Sequence, residues 1–393
     1  MGLIGSARWV SIQSAEGAIM KRTSSLGIAS AVVCAALCSD GRAQQVPDEP
    51  AAATARMTTY HSIPVDGLNI AYREAGPQGA PAILLLHGFP SSSRMFATLM
   101  PLLSDRYRVI APDYPGFGHS DTPAPEVFAY TFDHIAAVMD HFTEQIGLMR
   151  YALYVQDYGG PVGFRLASAH PERVTDLIVQ NAVAHEEGIS GPLWDARKKF
   201  WADRPRYEDK VRANLISVDA ARLRHVGSAP HGERYDPDLW TDEAAFLARP
   251  GEDKLQLDLF YDYRTNVLAY PAWQAWLKKY QPHTLILWGK YDPSFSIAEV
   301  DAFRRDLPAA EVHILDAGHF ALDEAPVLVS NLMRIFLDPE APLVGGSRCT
   351  CLGRRGDLVG YVPEGTMAHV DEHHINSRGG THEAIDRGID VDR

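Results

Sequence analysis

The stretch YALYVQDYGGPVGFRLASAHPERV, residues 151–174, decides how this chain is read. Its first residues form an apolar run, the pattern of a strand buried on both faces. Gly159 and Gly160 then permit a sharp turn, and the following residues read as a helix. Asp157 stands at the tip of that turn. A carboxylate projected from the top of a sheet is the feature the rest of the sequence has to explain.

The same rhythm extends on either side. PAILLLHGF (81–89), YRVIAPDY (107–114), VTDLIVQNA (174–182), HTLILWGKYD (283–292) and EVHILDAG (311–318) also read as strands, and residues 60–76 as a hairpin. Helical spacing appears in SSSRMFATLMPLL (91–103) and in TFDHIAAVMDHFTEQIG (131–147). In the latter, Ile135, Met139, Phe142 and Ile146 share one face and Thr131 is the expected N-cap. Strands alternating with helices predict an α/β fold with a mostly parallel sheet of about eight strands. The core is expected over residues 60–183 and 283–338. Residues 184–282 break the alternation and are rich in aromatics. They are expected to form a helical cap over the strand ends.

The chain has 393 residues, 46% of them hydrophobic, enough for one large core. A net charge of −13 argues against nucleic acid or an anionic membrane as partner, because phosphates select clustered Lys and Arg. Met20-Lys21-Arg22 followed by LGIASAVVCAALC (26–38) has the pattern of an export signal, with Gly41 and Ala43 near the cleavage point. Residues 1–43 therefore read as an extension plus signal peptide and 44–59 as a linker, which implies a periplasmic or secreted protein without a lipid anchor. Without a signal the protein would be cytoplasmic. Two of the four cysteines lie in the signal; Cys349 and Cys351 form a C-x-C in the tail, too little for a zinc site. Residues 339–393 lose the apolar rhythm and read as a disordered tail. HVDEHH (369–374) lies in that tail, and AHEEG (184–188) lacks the second histidine of a zinc helix, so neither metal nor other cofactor is expected.

Ligands of open α/β sheets gather at the carboxyl ends of the strands. Asp157, Asp292, His319 and the segment His87–Pro90 all fall there. With the motifs HGFP, DYPGFGHSD, VQDYGG, WGKYDP and DAGHF in this order, residues 60–338 resemble the α/β-hydrolase family, in which nucleophile, acid and histidine follow one another along the chain. The aspartate at the nucleophile position narrows the resemblance to the branch of epoxide hydrolases and haloalkane dehalogenases. It implies that Asp157 attacks a saturated carbon to form an ester. His319 would then activate water, and Asp292 would orient His319. The N–H groups of Phe89 and Tyr158 are the implied oxyanion donors. Asp316 and Asp323 are rival acids, and Ser120 in GFGHS a rival nucleophile without a strand-to-helix turn around it. An ordinary esterase would need Ser or Cys at position 157.

An epoxide needs an acid for its oxygen, whereas a halide needs donors such as an indole N–H. YDYRTN (261–266) resembles the epoxide hydrolase segment carrying a catalytic tyrosine and points to Tyr263; Tyr207 and Trp194 are further candidates at the leaving group. The sequence thus predicts an epoxide hydrolase acting with water on a small apolar substrate. Haloalkane dehalogenase is the alternative within the branch, and a non-catalytic binding protein of the same fold the alternative outside it. Oligomeric state is not written in the sequence. Mature protein isolated from a Gram-negative host should begin near Gln44; intact mass or Edman sequencing checks this, and an uncleaved N-terminus on cytoplasmic protein contradicts it.

Overall fold

The computed structural model describes residues 57–340 and 343–344. The expected export signal, nearly all of the expected linker and the tail beyond residue 344 lie outside the described residues. Eight strands form one sheet: β1 (Thr59–Val65), β2 (Leu68–Ala75), β3 (Ala82–Leu86), β4 (Arg108–Pro112), β5 (Tyr151–Gln156), β6 (Val174–Gln180), β7 (Thr284–Gly289) and β8 (Glu311–Leu315). Their order is β1-β2-β4-β3-β5-β6-β7-β8. β1 and β2 are antiparallel, as are β2 and β4, and all later pairs are parallel. The hairpin turns at Asp66 (φ 51°) and Gly67 (φ 82°), where two consecutive positive φ values match the twist of the flanking strands.

Burial explains the near-continuous apolar strands. Every residue of β5 and of β7 is buried. Leu153 and Val155 of β5 pack on one side of the sheet, together with Ile135, Met139 and Phe142 of helix Phe132–Gln145 and Val162 and Phe164 of helix Gly159–Ala169. Tyr154 packs on the other, with Phe96, Met100, Leu103 and Met333. Two covered faces leave no position for a polar side chain except at the strand ends. Thr131 caps its helix by accepting from the His134 N–H (3.2 Å). The stretch 91–103 departs from the single helix its spacing predicts. It splits into a 3₁₀ turn, Ser93–Phe96, and a one-turn helix, Met100–Leu103. Pro101, which lacks an N–H, is tolerated only in a first turn, so the helix begins there.

Between β6 and β7 the chain is helical: Pro192–Ala202, Arg204–Leu215, Val218–Val226, Asp238–Leu247 and the long Glu252–Tyr280. The long helix is fastened to the sheet layer by Asp262, whose Oδ2 accepts from the Phe132 N–H (2.8 Å). Trp273 of the same helix packs on Phe164, ring centroids 5.4 Å apart.

The strand order places the functional end. From β3 the chain winds outward to β4, then returns past β3 to β5. Loops leaving the carboxyl ends of β3 and β5 therefore part and leave a crevice between them. Helix Gly159–Ala169 lies directly against this point: a Cβ on Gly159 would stand 2.2 Å from the Leu86 carbonyl oxygen. Gly159→Ala should accordingly destabilise the fold by about 1–3 kcal/mol through overpacking. Gly79→Ala, where nothing lies within 4 Å of the added carbon, should change thermal unfolding little. Equal melting temperatures for the two variants would contradict the close approach.

Candidate active site

Asp157 follows β5 with φ 47°, a left-handed conformation that a residue with a side chain rarely adopts. The surroundings hold it there. Its N–H donates to the Asn181 carbonyl (3.2 Å), and its carbonyl accepts from the Gly160 N–H (2.9 Å). Opposite lies Gly88, where a Cβ would come within 2.4 Å of the Asp157 Cβ. The HGFP segment can therefore slide over the aspartate only because Gly88 has no side chain.

The two carboxylate oxygens have different partners. Oδ1 accepts from the N–H groups of Phe89 (2.8 Å) and Tyr158 (2.7 Å). Oδ2 faces Nε2 of His319 at 3.5 Å. Burial pushes the Asp157 carboxyl up, but the His319 hydrogen bond and charge, the Phe89 N–H and the positive charge of Arg197 outweigh it and hold the carboxyl below its usual range. The group is an ionised carboxylate at neutral pH.

His319 is buried, and its Nδ1 lies 2.8 Å from Oδ2 of Asp292. Asp292 is itself fixed: Oδ1 accepts from the N–H groups of Ser294 (2.6 Å) and Phe295 (3.0 Å), and Oδ2 from the Asn181 amide (2.7 Å). The Gln180 amide donates to the His319 carbonyl (2.8 Å). The rival acids have other partners: Asp316 takes the Tyr291 hydroxyl and Lys290, and Asp323 takes His225. Ser120 is structural, its hydroxyl donating to the Asp113 carbonyl and accepting from the Ala71 N–H.

Burial lowers the His319 pKa, but the charge of Asp292 and the hydrogen bonds to Asp157 and Asp292 prevail and raise it to about 10. The resting site is thus an imidazolium between two carboxylates. The Gln156 amide approaches the same Nε2 at 3.0 Å, while its Oε1 has no partner. An amide nitrogen donates there only to a neutral ring. Turned over, Gln156 offers Oε1 to the imidazolium, so one buried amide can serve both charge states.

Above Asp157 lies a cavity of about 10 Å³, room for roughly one water. Its walls include Phe89, Tyr158, Trp201, Phe260 and Tyr263, and two arginines, Arg197 and Arg224, also line it. The Tyr263 hydroxyl is buried beside the Tyr270 hydroxyl, and burial together with the Asp157 charge outweighs the Tyr270 hydrogen bond and raises its pKa, which keeps the proton on the oxygen. The other two leaving-group candidates are placed differently. Tyr207 is half-buried under Arg206 at the edge of the core and does not line this cavity. Trp194 packs behind Tyr263 (5.1 Å between rings), and its indole N–H is taken by the Ser294 carbonyl (2.6 Å). It supports the wall and has no donor left for a leaving group. Trp201 likewise spends its N–H on the Phe260 carbonyl (2.8 Å). Sequence reading missed Asn181, whose place at the end of β6 was the available signal. It missed Arg197 and Arg224 too, which sit among ordinary charged helix residues and gave none.

A family model described as the alpha/beta hydrolase fold matches residues 81–326. An uncharacterized hydrolase of Saccharomyces cerevisiae is 38% identical over 276 residues, 69% of this chain and 94% of that protein. A haloalkane dehalogenase of Mycobacterium marinum is 37% identical, covering 68% of this chain and 88% of the relative. Among solved structures, an epoxide hydrolase, CorEH, superposes with a TM-score of 0.58 at 19% identity, covering 72% of this chain and 99% of that one. A haloalkane dehalogenase from Bradyrhizobium elkani gives 0.57 at 23% identity, covering 70% and 96%. At such identities the superpositions speak to the fold.

A raised His319 pKa means that the folded protein holds this proton more tightly than the unfolded chain. The resulting stability is complete below the unfolded value of 6.5 and is lost as pH rises through about 10. His319→Gln should remove that slope, so chemical denaturation of the variant should depend less on pH than wild type between these values. Parallel profiles would mean a neutral imidazole in the resting protein.

Proposed function

We propose, since the chain belongs to the α/β-hydrolase fold family, that it is a hydrolase working through an ester on Asp157. The observation that carries this reading is the unequal use of the two carboxylate oxygens: Oδ1 is held by two backbone N–H groups and Oδ2 is not. Oδ2 attacks a saturated carbon and forms the new C–O bond as the leaving group departs. Oδ1 becomes the ester carbonyl oxygen, already seated in the donors that stabilise it as an oxyanion.

Ester formation removes the Asp157 charge that helps to hold the proton on His319. The imidazole then releases that proton to the departing oxygen, by way of Tyr263, and is left neutral. Water gives a proton to Nε2 of His319 and attacks Cγ of Asp157. Collapse of the tetrahedral intermediate frees the product alkoxide, which is protonated by the newly formed carboxylic acid. Asp157 returns as carboxylate and His319 as imidazolium, so the cycle consumes one water and nothing else.

For the leaving group, Tyr263 favours an epoxide. Its hydroxyl is protonated, lies on the wall of the same cavity and has the Tyr270 hydroxyl beside it, and it supplies the proton that a ring-opened oxygen needs. Halide displacement is the second reading, favoured by relatives named haloalkane dehalogenase. With both nearby indole N–H groups engaged, the halide would have to be met by Arg197. A purely binding role fits less well, because His319 is hydrogen-bonded to Asp292 on one side and turns its other nitrogen to Asp157 on the other.

His319→Gln should stop turnover yet accumulate a covalent adduct on the peptide containing Asp157, read by intact mass and peptide mapping. Asp157→Ala should give neither. Tyr263→Phe should slow adduct formation from an epoxide by about a hundredfold or more and leave formation from an alkyl halide nearly unchanged. An unaltered rate with the epoxide would remove the support for that substrate class.

A further inference from the structure

The two arginines at the cavity feel the charges of Asp157 and, for Arg224, Glu243, but neither makes an ion pair. Among the described residues, no carboxylate lies within 4.0 Å of Arg197 or Arg224. Arg197 stacks over Trp194 (4.4 Å) and Phe260 (5.1 Å), and Arg224 over Phe89 (4.9 Å). Such stacking uses the faces of the guanidinium groups and leaves the in-plane N–H donors available. Of the Arg224 nitrogens, Nη2 donates to the Leu215 carbonyl (3.1 Å) and Nη1 is a buried donor without a partner. Glu243, the acid whose charge acts most strongly on Arg224, is already beside Nε2 of His225 (2.9 Å).

Burial lowers the pKa of both arginines, that of Arg224 to about 10, and each also lines the cavity above a carboxylate nucleophile. Two buried cations brought close enough to repel one another, without an ion-pair partner, are an unfavourable arrangement for stability alone. A structural role would pair them with acids, as Arg173 is paired with Asp140 and Glu144.

Their position narrows what they serve. An outer cavity of about 510 Å³, walled by Leu193, Val211, Leu215 and Leu223, shares Arg197, Arg224, Phe260 and Ser294 with the inner one. Asn214, Ser217 and Asp219 also line it, so the arginines stand at the throat between a largely apolar vestibule with a polar edge and the nucleophile.

We propose that Arg197 and Arg224 form a carboxylate-binding subsite. The substrate would be a small carboxylic acid whose reacting carbon lies close to its carboxylate. This rests on Asp157 as the nucleophile and departs from the neutral apolar substrate that the sequence implies. A carboxylate at the throat gives both guanidinium groups a partner and fixes the reacting carbon above Oδ2, with any longer aliphatic chain left in the vestibule. It also separates the acid of an epoxy acid or halo acid from its amide or ester, which offers the arginines no charge.

Calorimetric titration of the intact protein with propionate, propionamide and chloride tests this. Propionate should bind wild type, and its affinity should fall about tenfold or more in Arg197→Gln and in Arg224→Gln. Propionamide should not bind measurably. Melting temperatures of the unliganded variants should stay close to wild type, since no ion pair is lost and relief of the repulsion between the arginines offsets the lost Leu215 hydrogen bond and ring contacts. Propionate that fails to bind, or that binds all three proteins alike, overturns the proposal. So does chloride binding that depends on the arginines where propionate does not, because the pair would then hold a leaving halide. Should a variant not fold, wild type decides alone: propionate and not propionamide must raise its melting temperature. Adduct formation on Asp157 in His319→Gln is read separately, so a failed ester mechanism and a failed carboxylate subsite give different results.

Discussion

The structure turns on the pair of N–H groups, from Phe89 and Tyr158, that grip one oxygen of Asp157. They lie just beyond the carboxyl ends of two strands, β3 and β5, that are neighbours in the sheet but separated in the chain. They meet only because the winding reverses at this point. Once Oδ1 is held, Oδ2 can point only toward His319 and the cavity. The left-handed turn at Asp157 and the missing side chains at Gly88 and Gly159 are the local conditions for that grip.

Charge binds the site into one device. In the resting protein His319 is an imidazolium between Asp157 and Asp292, a stable arrangement that is not a base. In the proposed reaction, converting Asp157 to a neutral ester would remove one of those two carboxylates. The base would then be made by the first chemical step and be absent before it. This protects the resting nucleophile, because a neutral imidazole beside Oδ2 would leave the carboxylate less favoured in its charged form. The proposed carboxylate subsite extends the same logic outward, since an anion at the throat would give Arg197 and Arg224 the ion pair that they lack.

Much of this was legible in the sequence because a buried parallel sheet writes itself as apolar runs. β5 and β7 are buried at every position and were readable for that reason. Asp157, Asp292 and His319 were legible as polar residues punctuating the ends of such runs. Where the signal was local chemistry without a run, reading was weaker: 91–103 carried helical spacing, yet Pro101 restarts the helix. The helices between β6 and β7 were hardest. Their aromatics are core and cavity wall at once, and only contacts distinguish Tyr263, facing the cavity, from Trp194, packed behind it. Arg197 and Arg224 look like any other charged helix residues until their lack of partners is seen in three dimensions.

The most direct test of the ester on Asp157 is a single turnover in water enriched in oxygen-18, with enzyme in excess over a substrate that wild type consumes. The oxygen given to the product in that first turnover comes from Oδ2. The product should therefore carry the ordinary isotope, and the heavy one should appear in the peptide containing Asp157. Heavy oxygen in the first-turnover product, with Asp157 unlabelled, would mean that water attacks the substrate directly and would contradict the account.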